Sequence, residues 1–216
     1  MKIPRILSIQ VGLPQQLGVE GAADLMDRPW TTGFFKEPIA GAVYLGKTNL
    51  VGDGQADLVL HGGVEKAVLA YAAQHYPCWQ QELDLSHFPY GAFGENFTVS
   101  SQSEEDVCIG DIYAVGAARI QVSQPREPCW KLARRWRMKD LPKRVINTGR
   151  SGWYFRVLAE GLVESGLPLV LVERPLPEWS IARVNHAFYR GQADFAELAD
   201  CPFLSASWRQ YFSMRL

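Results

Sequence analysis

The stretch Ala118-Arg119-Ile120-Gln121-Val122-Ser123-Gln124-Pro125-Arg126-Glu127-Pro128-Cys129-Trp130 reads as a strand that stops abruptly and turns into a helix. Residues Ala118 to Ser123 make the strand, Pro125 and Pro128 stiffen its exit, and from Cys129 to Met138 apolar residues recur at helical spacing. Cys129 therefore falls at a helix N-terminus, where unpaired N–H groups and the helix dipole stabilise negative charge. A thiol held there loses its proton more readily, and the thiolate is the form that ligates metals or attacks electrophiles.

Outward from this junction, short β-branched runs punctuated by Gly and Pro extend from the start of the chain to about Glu173, the pattern of a sheet closed into a barrel or sandwich. Further strands are expected at Ile6 to Val11, Gly41 to Leu45, Gln55 to Leu60, Asn96 to Val99, Ile112 to Val115 and Leu167 to Val172, with Val115-Gly116-Ala117 as a hairpin tip. A helix is expected over Ala73 to Leu83, with Pro77 in its first turn. After Arg174-Pro175-Leu176-Pro177 the pattern becomes helical: Ser180 caps Ile181 to Tyr189, and two more short helices fit Ala193 to Leu198 and Ser205 to Met214. The expected architecture is mainly β, a barrel-like domain with peripheral helices over residues 1–174, plus a small all-α C-terminal subdomain over residues 175–216. The apolar residues of that tail, Val184, Phe188, Phe195, Leu198, Trp208 and Phe212, either form a little core of their own or dock on the barrel.

A chain of 216 residues, 47% of them hydrophobic, can bury one substantial core. Its net charge of -1 lacks the overall electrostatic footprint of a nucleic-acid binder, so nucleic acid is not an expected partner. Pro4 and Gln10 interrupt the first apolar run too early for a signal peptide, and no run approaches the roughly 20 apolar residues of a membrane span. A cytoplasmic protein without a membrane partner is expected. Cys78, Cys108, Cys129 and Cys201 are widely separated and include no Cys-x-x-Cys pair, which argues against structural zinc and, in a reducing compartment, for free thiols.

Three other segments could carry chemistry. Lys131, Arg134, Arg135 and Met138 follow i, i+3, i+4, i+7 spacing, so the basic run after Cys129 either converges on an anion site or forms a solvated face. In Asp57-Leu58-Val59-Leu60-His61-Gly62-Gly63-Val64-Glu65-Lys66 the glycine pair can turn sharply and present N–H groups to an anion, while His61 is either structural or a ligand or base. In Gly94-Glu95-Asn96-Phe97-Thr98, Asn96 either bonds a ligand or closes a turn. Gly110-Asp111 reads as a turn before a strand, and Glu95 and Asp111 act as an acid–base pair only if the fold brings them together.

Taken in order and spacing, His61-Gly62-Gly63, Gly94-Glu95-Asn96-Phe97-Thr98, Gly110-Asp111 and Gln124-Pro125-Arg126-Glu127-Pro128-Cys129 resemble the MOSC domain family, named for the C-terminal domain of molybdenum cofactor sulfurases. Within it the chain looks like the YiiM-type members, which carry a three-helix C-terminal extension, and Asn147-Thr148-Gly149-Arg150-Ser151-Gly152-Trp153-Tyr154 looks like another family segment. The resemblance implies a barrel-like β fold and a molybdenum cofactor (molybdopterin) whose metal is held by its dithiolene and the family cysteine, here Cys129. Arg126, Lys131, Asn96, His61, Gly62 and Gly63 are the residues expected to contact the cofactor. It further implies reduction of N-hydroxylated bases or related N-oxygenated compounds, independent of pyridoxal phosphate.

No flavin or iron–sulfur motif is evident, so such a reductase needs an external flavin or iron–sulfur electron-donor protein. Two rival roles use the same thiolate: a persulfide sulfur carrier on Cys129, and a non-catalytic molybdenum cofactor carrier. The helical tail could serve as a homodimer contact, a lid or a docking surface for the donor.

Overall fold

The computed structural model describes residues 3–191 and 195–216. Its strands are β1 (Ile6–Val11), β2 (Gln15–Leu17), β3 (Trp30–Thr32), β4 (Glu37–Pro38), β5 (Val43–Leu45), β6 (Val68–Ala72), β7 (Phe97–Val99), β8 (Ile112–Val115), β9 (Ala118–Pro125), β10 (Trp153–Ala159), β11 (Gly161–Val163) and β12 (Val170–Glu173). The helices are α1 (His75–Glu82), α2 (Trp130–Trp136), α3 (Leu141–Thr148), α4 (Ile181–Arg190), α5 (Phe195–Asp200) and α6 (Ala206–Ser213).

Among the described residues, eight strands form one curled mixed sheet in the order β12-β8-β9-β10-β6-β7-β1-β4. Its neighbours are antiparallel except for β6 and β7, which run parallel and need a crossover; α1 and the loop after it supply one. The curl brings the sheet's ends together. Ile6 N–H donates to the Leu167 carbonyl at 3.0 Å, and Gly166 N–H donates to the Ile6 carbonyl at 2.7 Å, stitching β1 to the segment that leads into β12. The result is a half-barrel with helices packed on it.

The main core fills the inside of this curl, with Ile9, Phe97, Val122 and Phe155 all fully buried. It continues without a break into Val184, Leu198, Trp208 and Phe212 of the C-terminal helices, so the tail docks on the sheet rather than standing apart. A second cluster, containing Tyr71, Trp79, Phe93, Leu132 and Val145, packs α1, α2 and α3 against one another.

Most expected elements form where local pattern places them, including Ser180, which caps α4 by accepting from Arg183 N–H. The first two residues of the helix expected from Ala193 lie outside the described residues. Gln55 to Leu60 is not a strand. There the Asp57 carboxylate accepts the N–H groups of Val59 and Leu60 at 3.0 and 2.9 Å, which winds the chain into a turn and leaves Val59 90% exposed. Conversely β6, β10 and α3 are additions to the expected set, and β6 escapes a reading by alternation because all five of its residues are buried.

Candidate functional site

A β-bulge aims the segment that carries Cys129. Along β9 and β10, Gln124 pairs with Tyr154 and Val122 with Phe155, so the register skips Ser123 and the strand bends just before its exit. Arg126 N–H then bonds the Gly152 carbonyl at 3.0 Å, and the chain turns into α2 with Cys129 as its N-cap in extended conformation. Burial pushes the Cys129 thiol up, but a hydrogen bond from His61, the positive charge of Arg126 and the Lys131 backbone N–H outweigh it and bring the thiol down to about 7.

Cys129 lies at a neck between two spaces. An inner cleft reaches down to Lys36, Asp53, Asn96 and Arg126. An outer bowl opens past Trp30, Val59, Leu60, Trp130 and Ser207. His61, Lys66, Glu127, Cys129, Lys131 and Tyr154 border both.

The floor of the inner cleft is held by a buried polar network. The Lys36 ammonium pairs with the Asp53 carboxylate, which also accepts from Gly12 N–H at 3.0 Å and from Asn96 Nδ2 at 2.9 Å. Burial lowers the Lys36 pKa against the opposing pull of Asp53. Asn96 Oδ1 accepts from Leu69 N–H at 3.1 Å and its Nδ2 also reaches the Gln10 carbonyl, so Asn96 lines the cleft while its amide is occupied in tying β1, β6 and Asp53 together. Arg126 differs: it is 4% exposed, its Nη2 donates to the Phe93 carbonyl at 3.3 Å, and its Nη1 has no partner among the described residues.

At the neck, Lys66 donates to the Leu60 carbonyl at 2.7 Å, and burial lowers its pKa while Glu127 and Asp57 hold it up. Burial pushes the Tyr154 phenol up to about 12, so it keeps its proton at neutral pH. Gly62 and Gly63 do not border the cleft among the described contacts. They form the turn between His61 and Lys66, with Gly63 at a positive φ of 90° and a Cβ on Gly62 meeting Leu58 backbone at 2.9 Å.

Of the basic run after Cys129, only a part faces the cleft. The helix ends at Trp136 with Arg137 in left-handed conformation, so Met138 falls outside it. Arg134 donates to the Leu25 carbonyl and stacks on Trp30 and Trp130, Arg135 lies 4.0 Å over Phe35, and Arg137 pairs with Asp27 at 2.5 Å. Only Lys131 of Lys131, Arg134 and Arg135 borders the cleft.

Glu95 and Asp111 are consumed in separate networks. Glu95, fully buried, accepts from the Tyr76 hydroxyl and from Gly91 and Phe93 N–H, and Asp111 accepts from Cys108 N–H and the Arg174 guanidinium. Sequence reading passed over Lys36, Asp53, Lys66 and Tyr154 as site residues. For Lys66 and Tyr154 the signal was present, since each sits at the end of a segment already singled out; for Lys36 and Asp53 there was none, because they stand 17 positions apart across loop and strand.

A family model described as the MOSC domain matches residues 57–170, and one described as the YiiM-like, 3-alpha helix domain matches residues 179–216. The chain is 42% identical over 212 residues to YflK of Bacillus subtilis, spanning 96% of this chain and 92% of YflK. It is 39% identical over 174 residues to a protein of Gibberella moniliformis named Reductase, spanning 79% of this chain and 31% of that longer protein. The crystal structure of YiiM from Geobacillus stearothermophilus is 43% identical and superposes with a TM-score of 0.81 over 99% of each chain. No described helix is long and apolar enough to cross a membrane. With a MOSC match over the segments that build the neck and a YiiM-like match over the docked helices, the chain belongs to the MOSC domain family and carries the YiiM-like three-helix extension.

Proposed function

We propose that this protein is a cytoplasmic molybdenum-cofactor-dependent reductase of N-hydroxylated bases or related N-oxygenated compounds, with the Cys129 thiolate as metal ligand. The observation that carries the reading is Cys129 itself: a thiol brought down to about 7, at the neck between a polar cleft and an open bowl. A soft thiolate suits a second-row metal, and a phosphorylated pterin needs cations and N–H groups in a concave site. The inner cleft offers the buried Arg126 guanidinium, whose Nη1 has no partner among the described residues, and the neck adds Lys131 and Lys66. These residues fit the cofactor: Cys129 would hold the metal, and Arg126 and Lys131 its anionic end.

When bound, the cofactor supplies two-electron oxygen-atom-transfer chemistry. The chain's own groups do the rest. His61 stabilises the Cys129 thiolate through its hydrogen bond. Tyr154 presents a protonated phenol at the neck, and Lys66 and Glu127 place an ammonium and a carboxylate beside it. Converting R–NH–OH to R–NH2 and water breaks the N–O bond and consumes two electrons and two protons; neck groups relay the protons, and a separate flavin or iron–sulfur protein supplies the electrons. The reductase name of the Gibberella relative supports the reaction class.

Metal mass spectrometry and pterin analysis of wild type beside Cys129→Ser, both from molybdate-fed cells, test the reading. Stoichiometric molybdenum and pterin are expected in wild type, with the metal lost from the variant; wild type without molybdenum sinks it. The low pKa of Cys129 also favours a persulfide carrier as second reading. Intact mass separates the two, because a carrier shows a reducible gain of one sulfur that Cys129→Ala abolishes.

A further inference from the structure

Trp130 directly follows Cys129 and is 55% exposed, whereas Trp79, Trp153, Trp179 and Trp208 are each 1% exposed or less. An indole left in water forfeits the burial that stabilises the others. The ring is not loose. It meets Trp30 at a centroid distance of 5.7 Å and an angle of 52°, and the Arg134 guanidinium lies 5.2 Å from Trp130 and 5.4 Å from Trp30. Arg134 is in turn anchored to the Leu25 carbonyl, and Lys131 Nζ lies 5.8 Å from the Trp130 ring. Cations at that range fix the indole through its quadrupole.

Both indoles border the outer bowl, together with Val59 and Leu60, which are 90% and 62% exposed. Single exposed apolar residues are ordinary on a protein surface; three of them, with the half-buried Trp30, walling one concavity beside a reactive sulfur are not. We propose that Trp130, backed by Trp30, is the ring-stacking platform of the substrate bowl and selects planar heteroaromatic N-hydroxylated substrates over aliphatic ones. The proposal rests on the reductase reading of Cys129. Because Trp130 and Cys129 are adjacent in the chain, a ring laid on the indole keeps an exocyclic nitrogen close to the neck, where His61, Lys66 and Tyr154 stand. A purine-type ring gains stacking on this surface; an aliphatic hydroxamic acid has no ring face to offer.

The test uses the holoenzyme and two readouts. Adenine, which carries no N–O bond to reduce, is titrated into wild type, Trp130→Ala and Trp130→Phe by saturation-transfer NMR. Adenine is expected to bind wild type, about tenfold more weakly to Trp130→Ala, and nearly normally to Trp130→Phe. With an artificial electron donor, kcat/KM for hydroxylaminopurine relative to acetohydroxamic acid is expected to fall about tenfold in Trp130→Ala, mainly through KM. Equal adenine binding and an unchanged ratio in Trp130→Ala overturn the platform and leave the reductase standing. No adenine binding by any form also overturns it. A wild type that reduces neither compound while binding adenine through Trp130 removes the reductase reading and supports the platform as a ring-binding surface.

Discussion

The Ser205 backbone N–H donates to the Ser123 carbonyl at 3.0 Å, so the C-terminal helices take up the residue that the β9 bulge leaves out of register. Ser207 of α6 then borders the outer bowl. The helical extension is thus part of the frame that aims Cys129, whatever partners it also meets.

Removing residues 175–216 should therefore cost the fold and not only an accessory function, because Val184, Leu198, Trp208 and Phe212 leave the main core. The truncated chain should lose its near-ultraviolet circular dichroism. Trp208→Ala, at a site 1% exposed, should lower the unfolding free energy by about 3–5 kcal/mol in urea titrations. A truncated chain with native near-ultraviolet signal and cooperative unfolding would contradict this.

Asn96 carries a similar structural burden at the cleft floor. Asn96→Ala strands the Leu69 N–H and removes one donor from the buried Asp53 carboxylate. A loss of about 2–5 kcal/mol is expected, from two buried groups left short of partners, and chemical denaturation reads it. A change under 1 kcal/mol would mean water replaces the amide.

The Arg174 guanidinium grips Asp111 through two hydrogen bonds of 2.8 and 2.7 Å, and the Asp111 side chain is fully buried. Arg174→Ala leaves that carboxylate without its countercharge. Because Arg174 is itself partly exposed, the expected cost is about 2–4 kcal/mol, toward the lower part of the range for fully buried pairs. Arg174→Ala paired with Asp111→Asn should recover part of the loss in a double-mutant cycle.

In metal-free protein the Cys129 thiol titrates at about 7 instead of the ordinary 9. Between those values the folded state holds fewer protons at this sulfur than the unfolded chain does. Its contribution to stability is thus complete above pH 9 and is lost as the pH falls through 7. Iodoacetamide labelling of the Cys129 peptide, followed by mass spectrometry, should show a rate midpoint near pH 7 that moves upward in His61→Ala as the hydrogen bond to sulfur disappears. A wild-type midpoint at 9 or above would remove the thiolate argument.

Residue order alone laid out the strand-to-helix junction at Cys129, most sheet strands and the helical tail, since alternation, prolines and caps act over a few neighbours. Motif spacing also identified the family. The same local logic misread Gln55 to Leu60, where one Asp57 side chain outcompetes a strand, and passed over β6, whose uniform burial removes the alternation that marks a strand.

What only the folded chain decided is the company Cys129 keeps. His61 reaches it from a distant stretch of backbone to join Arg126 and the Lys131 N–H of its own segment, and the Lys36–Asp53–Asn96 floor joins segments far apart in the chain. The reactive residue is a property of local pattern. The His61 share of its acidity and its cleft are not, because Coulomb forces and buried hydrogen bonds depend on distances through space that the order of residues leaves open until the sheet curls.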